Sequence, residues 1–188
     1  MNVFDFDGTI YNGDSSLDFW FFCIRKYPGI LRFFPRQFFG GLLFFLKHIT
    51  KEEFKSRYFS FFEGISDIDS AVKNFWNKND YKIKDWYKNL QNEDDCVISA
   101  SPRFLLEEIC SRIGVKNLIA TEVDKKTGKL LGKNCHGKNK VDFYRKSFGD
   151  TNIENFYSDS KSDFPMAKEA KKFFFVKGNK TQIKEVYK

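Results

Sequence analysis

Short apolar runs that stop at small or acidic residues alternate along this chain with long stretches of helical spacing, and the two patterns predict different elements. Strands are expected at residues 3–6, 95–100, 116–122, 153–157 and 173–176, the last of them closing the ordered pattern. Helices are expected from about Leu17, with Asp14 or Ser15 as its cap, over 103–113 and over 140–148. Residues 12–88, between the first two strands, read as helical almost throughout. Pro28-Gly29, Pro35 and Gly40-Gly41 should divide the first part into short helices. Asp67-Ile68-Asp69 and the stretch from Asn77 to Asp80 should break the second. Asp124 to Lys129 reads as a hairpin-like turn.

Residues 19–51 carry nine Phe and six Lys or Arg with no acidic residue. Ile30, Phe33, Phe34, Phe38, Leu42, Phe45, Leu46 and Ile49 follow helical spacing, which predicts the interior of a small helical bundle. The same pattern with basic neighbours also suits a helix lying in a bilayer interface. A transmembrane segment is not expected, because Arg32, Arg36 and Gln37 interrupt apolar runs already far shorter than the ~20 residues that crossing requires.

At 188 residues the chain can bury one sizeable core with a modest insert. Lys and Arg number 32 against 25 Asp and Glu, so an anionic partner is favoured: a phosphorylated metabolite, a nucleic acid or a lipid surface. The aromatic residues sit at core spacing and a stacking nucleic-acid module would leave the acidic motifs unexplained, so no specific nucleic acid is expected. Cys23, Cys96, Cys110 and Cys135 stand too far apart for a zinc site or a disulfide framework. With no apolar leader at the N-terminus, the expected setting is cytoplasmic, extending to the inner face of the membrane if the Phe-rich stretch touches lipid.

Candidate chemistry lies where strands stop. Asp5 and Asp7 alternate with Phe4 and Phe6, so on a strand both carboxylates face one spot. An ordinary turn would contain the same residues. Two unpaired carboxylates buried there would cost several kcal/mol each unless a cation lies between them, and a divalent metal supplies it. Ser99 and Ala100 end the second strand before a helix, where backbone N–H groups and the Ser99 hydroxyl can approach a phosphate. Asp159 follows the fourth strand, with Asp163 four residues later, and acids at this spacing can bind Mg2+ directly and through its water.

Asp5-Phe6-Asp7-Gly8-Thr9, the strand ending at Ser99, the segment from Cys135 to Val141, and Ser158-Asp159-Ser160 with Asp163 resemble, in order, the four motifs of the haloacid dehalogenase superfamily. The resemblance spans the whole chain and implies an α/β fold, a doubly wound parallel (Rossmann-like) sheet with an inserted all-helical cap. It places the catalytic core at 1–11 and 89–188 and the cap at 12–88, as in the phosphoserine phosphatase-like subgroup. Ser99-Ala100-Ser101-Pro102 and Tyr157-Ser158-Asp159-Ser160 look closer to phosphatidylglycerophosphatase C-like proteins. The implied activity is a Mg2+-dependent phosphomonoesterase with an aspartyl-phosphate intermediate, acting on a phosphorylated small molecule or a lipid phosphate. Asp5 would be the nucleophile and Asp7 the acid and base. Gly8, Ser99, Ala100 and Lys140 would bind the substrate phosphate, with Lys138 the other candidate lysine. Asp5, Asp7, Asp159 and Asp163 would hold the metal. Ser158 stands where that family usually has glycine.

Overall fold

A computed structural model describes residues 1–178 and 180–184. Its sheet contains β1 (Asn2–Phe4), β2 (Cys96–Pro102), β3 (Asn117–Thr121), β4 (Ile153–Ser158), β5 (Ala170–Lys177) and β6 (Lys180–Lys184), in the order β3-β2-β1-β4-β5-β6. All neighbours are parallel except β5 and β6. That antiparallel edge strand lay beyond the expected last strand; Lys180, Gln182 and Lys184 break up its apolar signal, and pairing with β5 supplies what its composition lacks. The parallel strands require crossovers, and the strand order reverses at β1, which lies between β2 and β4. β1 shows why the sheet is covered on both sides. Val3 enters one apolar cluster with Ile98, Phe156 and Met166, while Phe4 and Phe6 enter the other with Phe19, Phe75 and Leu105.

Between β1 and β2 come α1 (Ser15–Lys26), α2 (Phe34–Phe45), α3 (Lys51–Tyr58), α4 (Ile68–Asn79) and the single turn α5 (Asp85–Lys88). Asp14 caps α1 by accepting from Leu17 N, and Thr50 with Glu53 forms a capping box on α3. These helices share their apolar cluster with the sheet: Trp76 donates its indole N–H to Leu105 O at 2.7 Å, and Trp86 and Tyr87 lie against Phe4 and Tyr157. The helices α6 (Arg103–Arg112), α7 (Asn139–Phe148) and α8 (Phe164–Ala167) complete the layers.

The Phe-rich stretch departs from expectation twice. Gly40-Gly41 does not divide it, since both residues lie inside α2. Gly40 is buried against Arg57, whose Cβ would be only 3.0 Å from an added methyl, so the absent side chain is what lets α2 approach α3. The inward residues of α2 are Gln37 and Gly40, with Gln37 donating to Tyr58 O and accepting from the Trp20 indole. Ile30 is buried as expected, but Phe34, Phe38, Leu42, Phe45 and Leu46 face outward. Side-chain periodicity identified the stripe correctly and its direction wrongly, because a polar and small inner face packs α2 onto α3 at closer range than phenylalanine would allow.

Candidate active site

At the carboxyl ends of β1, β2 and β4 lies a cavity of about 450 Å3 whose lining includes Asp5, Asp7, Ser99, Ala100, Lys140, Asp159 and Asp163. The motifs from four distant parts of the chain therefore meet. Asp5 continues β1, with its N–H on Tyr157 O. Asp7 arrives in the following turn instead of on the strand, and the two carboxylates still share the cavity.

The two carboxylates have different partners. Asp5 Oδ1 accepts from Lys140 Nζ at 2.6 Å and Oδ2 from Thr9 Oγ1 at 3.2 Å. Asp7 Oδ1 accepts from Ser15 N at 2.7 Å, at the start of α1, and Oδ2 from Ser101 Oγ at 2.6 Å. Burial pushes Asp5 up to about 7, opposed by Lys140. Burial and then Asp14 push Asp7 up to about 6, opposed by Ser101 and Ser15. Asp7 is thereby held near the range where it can both give and take a proton.

Lys140 is fully enclosed and donates also to Asp163 Oδ2 at 2.7 Å. Burial alone would lower its pKa, but Asp5 and Asp163 raise it. Lys138, the other candidate, is exposed at the start of α7. Asp163 Oδ2 further accepts from Ser158 Oγ at 2.8 Å, so the residue in the usual glycine position helps to fix the acid that fixes the lysine. Asp159 is held by its backbone, its N–H donating to Thr9 Oγ1 at 3.0 Å. Ser99 is buried, its Oγ accepting from Ser101 N at 3.1 Å across the bulge that ends β2.

Several participants were not legible in the sequence. Lys51, Lys55 and His136 line the cavity from α3 and from the loop before α7. Lys55 Nζ donates to Ala100 O at 2.6 Å and to Asn134 Oδ1 at 2.9 Å, and burial, helped by nearby Lys51, lowers its pKa to about 8. Lys51 Nζ lies 2.8 Å from His136 Nε2. Buried Lys84 donates to Gly8 O and Gly178 O, bracing the turn that carries Asp7. Among so many lysines, no spacing distinguishes these from solvated ones.

Among the described residues no group of three or more His, Cys, Asp and Glu side chains is arranged to hold a metal, so the cavity does not present a ready-made set of side-chain ligands. Its donors are the carboxylates of Asp5 and Asp159 with backbone carbonyl oxygen and room for water, which fits a hard cation such as Mg2+. Burial raises Asp159 as well, opposed by Lys84, and a cation beside it in this crowded turn would favour its charged form. Gly8, at φ 72°, tolerates that crowding: a methyl there would land on Asp159 Oδ2. Gly8→Ala should therefore displace Asp159 and lower kcat/KM by on the order of 100-fold, measured by steady-state kinetics on a generic phosphoester.

A profile of the haloacid dehalogenase-like hydrolases matches residues 3–168. The chain belongs to that family. No curated protein matches this hydrolase. Among solved structures it is similar to a protein of unknown function from Bordetella pertussis Tohama I, with TM-score 0.73 and 18% identity over 89% of this chain and 85% of that one. A phosphoserine phosphohydrolase-like protein from Francisella tularensis subsp. tularensis SCHU S4 gives TM-score 0.61 and 19% identity over 92% and 86%. A phosphoserine phosphatase in its apo form gives 0.57 and 16% over 91% and 82%. At these identities the hydrolase shares their fold, Rossmann-like sheet and helical insert together.

Proposed function

We propose that this hydrolase is a phosphomonoesterase that works through an aspartyl-phosphate on Asp5. The observation that carries this reading is the contrast between two neighbouring carboxylates, one buried and gripped by a lysine and the other half-buried and held by a backbone N–H and a serine. In the first step a carboxylate oxygen of Asp5 attacks phosphorus, the bond to the leaving oxygen breaks, and Asp7 gives that oxygen its proton. In the second step Asp7 takes a proton from water, the water oxygen attacks the same phosphorus, and the carboxylate of Asp5 departs. Lys140, Ser99 and the N–H groups near Gly8 and Ala100 stabilise the transferring group. Asp163 orients Lys140. Mg2+ would be held by Asp5, the Asp7 carbonyl and Asp159, with Asp163 reaching it through water, and would supply charge compensation to the phosphoryl oxygens.

Metal binding has its own readout. Mg2+ at about 100 times its Kd should stabilise the fold by about 2.7 kcal/mol, a rise of roughly 5–10 °C in Tm for a chain of this size. Asp159→Ala should abolish most of the rise, and chelator should abolish turnover. An equal shift in wild type and variant would remove Asp159 from the metal site.

For the substrate we propose an amphipathic phosphomonoester, of the kind carried on a lipid. The side of the cavity facing α1 and α3 offers Leu17, Phe54, Tyr58 and Phe59 to an apolar body, and Lys51, Lys55 and His136 to further negative charge. The rival is phosphoserine, named for two of the structural neighbours, and Asp14 in the cavity lining is the acid its ammonium would need. Asp14 Oδ1 already caps α1, and it is a single acid among the three basic side chains on that side of the lining. Comparing kcat/KM for phosphatidylglycerophosphate in mixed micelles, phosphoserine and a sugar phosphate decides between them; a preference for phosphoserine would overturn the lipid assignment.

A further inference from the structure

The outward face of α2 gathers six of the thirteen large apolar side chains that stand exposed among the described residues. Phe34, Phe38, Leu42 and Phe45 follow one another at intervals of four, four and three residues and so form one stripe, flanked by Phe39 and Leu46. Phe38 and Phe39 are 58% and 57% exposed and Phe45 is 82% exposed. At the ~150–250 Å2 that an aromatic side chain can cover, this face presents on the order of 600 Å2, the upper end of what a monomer exposes without a use for it. The ordinary reason for an outward helix face to be apolar, packing against another element, is missing: α2 already packs on α3 through Gln37 and Gly40.

We propose that α2 is a bilayer-docking face for anionic membrane, lying flat with its phenylalanines in the interface. Charge complementarity selects this occupant. Arg32 is exposed just before α2 and Lys47 just after its C-terminal end, while no Asp or Glu occurs anywhere in residues 19–51. Arg36 is the one cation of α2 itself and pairs with Glu63. Phe and Leu on one side with basic residues around them is the pattern of an interfacial helix, and each cation near an anionic surface adds attraction. A second copy of the chain meeting the same face would bring like charges together around the apolar centre, which works against self-association. At 12 residues, α2 is about 18 Å long, too short to cross a bilayer, and no helix among the described residues is long and apolar enough to do so.

This inference stands apart from the catalytic assignment and is read without substrate. Full-length protein is floated with vesicles of phosphatidylcholine alone and of phosphatidylcholine mixed with phosphatidylglycerol, at low and high salt. Wild type should rise with the anionic vesicles and much less with the neutral ones, and high salt should weaken the association. The combined variant Phe38→Ser, Phe39→Ser, Phe45→Ser should lose at least about a hundredfold in partitioning while keeping its Tm and its turnover of p-nitrophenyl phosphate, since these side chains lie outside both core and cavity. Arg32→Glu with Lys47→Glu should erase the preference for anionic vesicles. Wild type that stays with the soluble fraction, or a serine variant that floats equally well, overturns the proposal. Concentration-dependent dimerisation without vesicle binding would overturn it too, assigning the face to a second copy.

Discussion

Asp5→Asn should reduce phosphoester turnover by about 10^4-fold or more while leaving a folded protein, the scale seen when a catalytic nucleophile is removed. The amide is nearly isosteric with the carboxylate and its one oxygen can still accept from Lys140, which now donates to Asp5 at 2.6 Å, while its NH2 group turns to Thr9, whose hydroxyl, now donating at 3.2 Å, can accept instead. What it lacks is a charged oxygen able to form and then release a bond to phosphorus. Burst-phase kinetics add a second reading, because wild type should form a stoichiometric covalent phosphate that the variant cannot. Turnover within about tenfold of wild type would exclude the aspartyl-phosphate route. It would then be Asp7, held independently by Ser15 and Ser101, that had to act directly on water.

Lys140→Met should be damaging in two separable ways. Methionine fills a similar volume but leaves Asp5 and Asp163 facing each other in a buried site, and breaking a buried pair in this manner costs about 3–5 kcal/mol. The sign with pH follows from burial, which already raises Asp5 above its ordinary 3.8 to about 7 with the lysine present and would raise it further without it. A carboxylate with a raised folded-state pKa keeps its contribution below the unfolded value and loses it as pH climbs through the folded one. Wild type shares that loss up to about pH 7, so the stability deficit of the variant should stay nearly level below about pH 7 and grow as pH climbs beyond it, where Asp5 ionises in the wild-type fold but not in the variant. Denaturant unfolding across that range measures it. Activity should fall by on the order of 100- to 1000-fold, the usual effect of deleting one group that stabilises transferring charge. A variant whose stability matches wild type even at about pH 9 would mean that Lys140 does not balance these acids.

Much of this molecule was readable from the order of its residues, and the elements concerned share a reason. The strands before Asp5, Ser99 and Asp159 are short continuous apolar runs that end in small or polar residues, and parallel strands buried on both faces have that composition wherever they occur. Caps such as Asp14 depend on chemistry within four residues. Local pattern also brought Asp5, Ser99 and Asp159 into consideration, because a strand's carboxyl end delivers whatever follows it to one edge of the sheet, whereas Lys140 was singled out only through the resemblance of its segment to the family's motif.

Tertiary structure alone decided the rest. Lys51, Lys55 and His136 became cavity residues because α3 lies over β2 and the loop before α7, contacts separated by up to 85 positions in the chain. β6 is a strand through its partner β5, not through its own apolar content. The clearest case is α2, where a stripe of phenylalanine at helical spacing states that one face is apolar and cannot state which way that face points. Gln37 has two partners in the fold and Gly40 has Arg57 pressed against it, so the polar and small side packs inward and the phenylalanines are left outside. Periodicity fixes the angle between residues around a helix axis, whereas the rotation of the helix against its neighbours is set by contacts that only the assembled fold supplies.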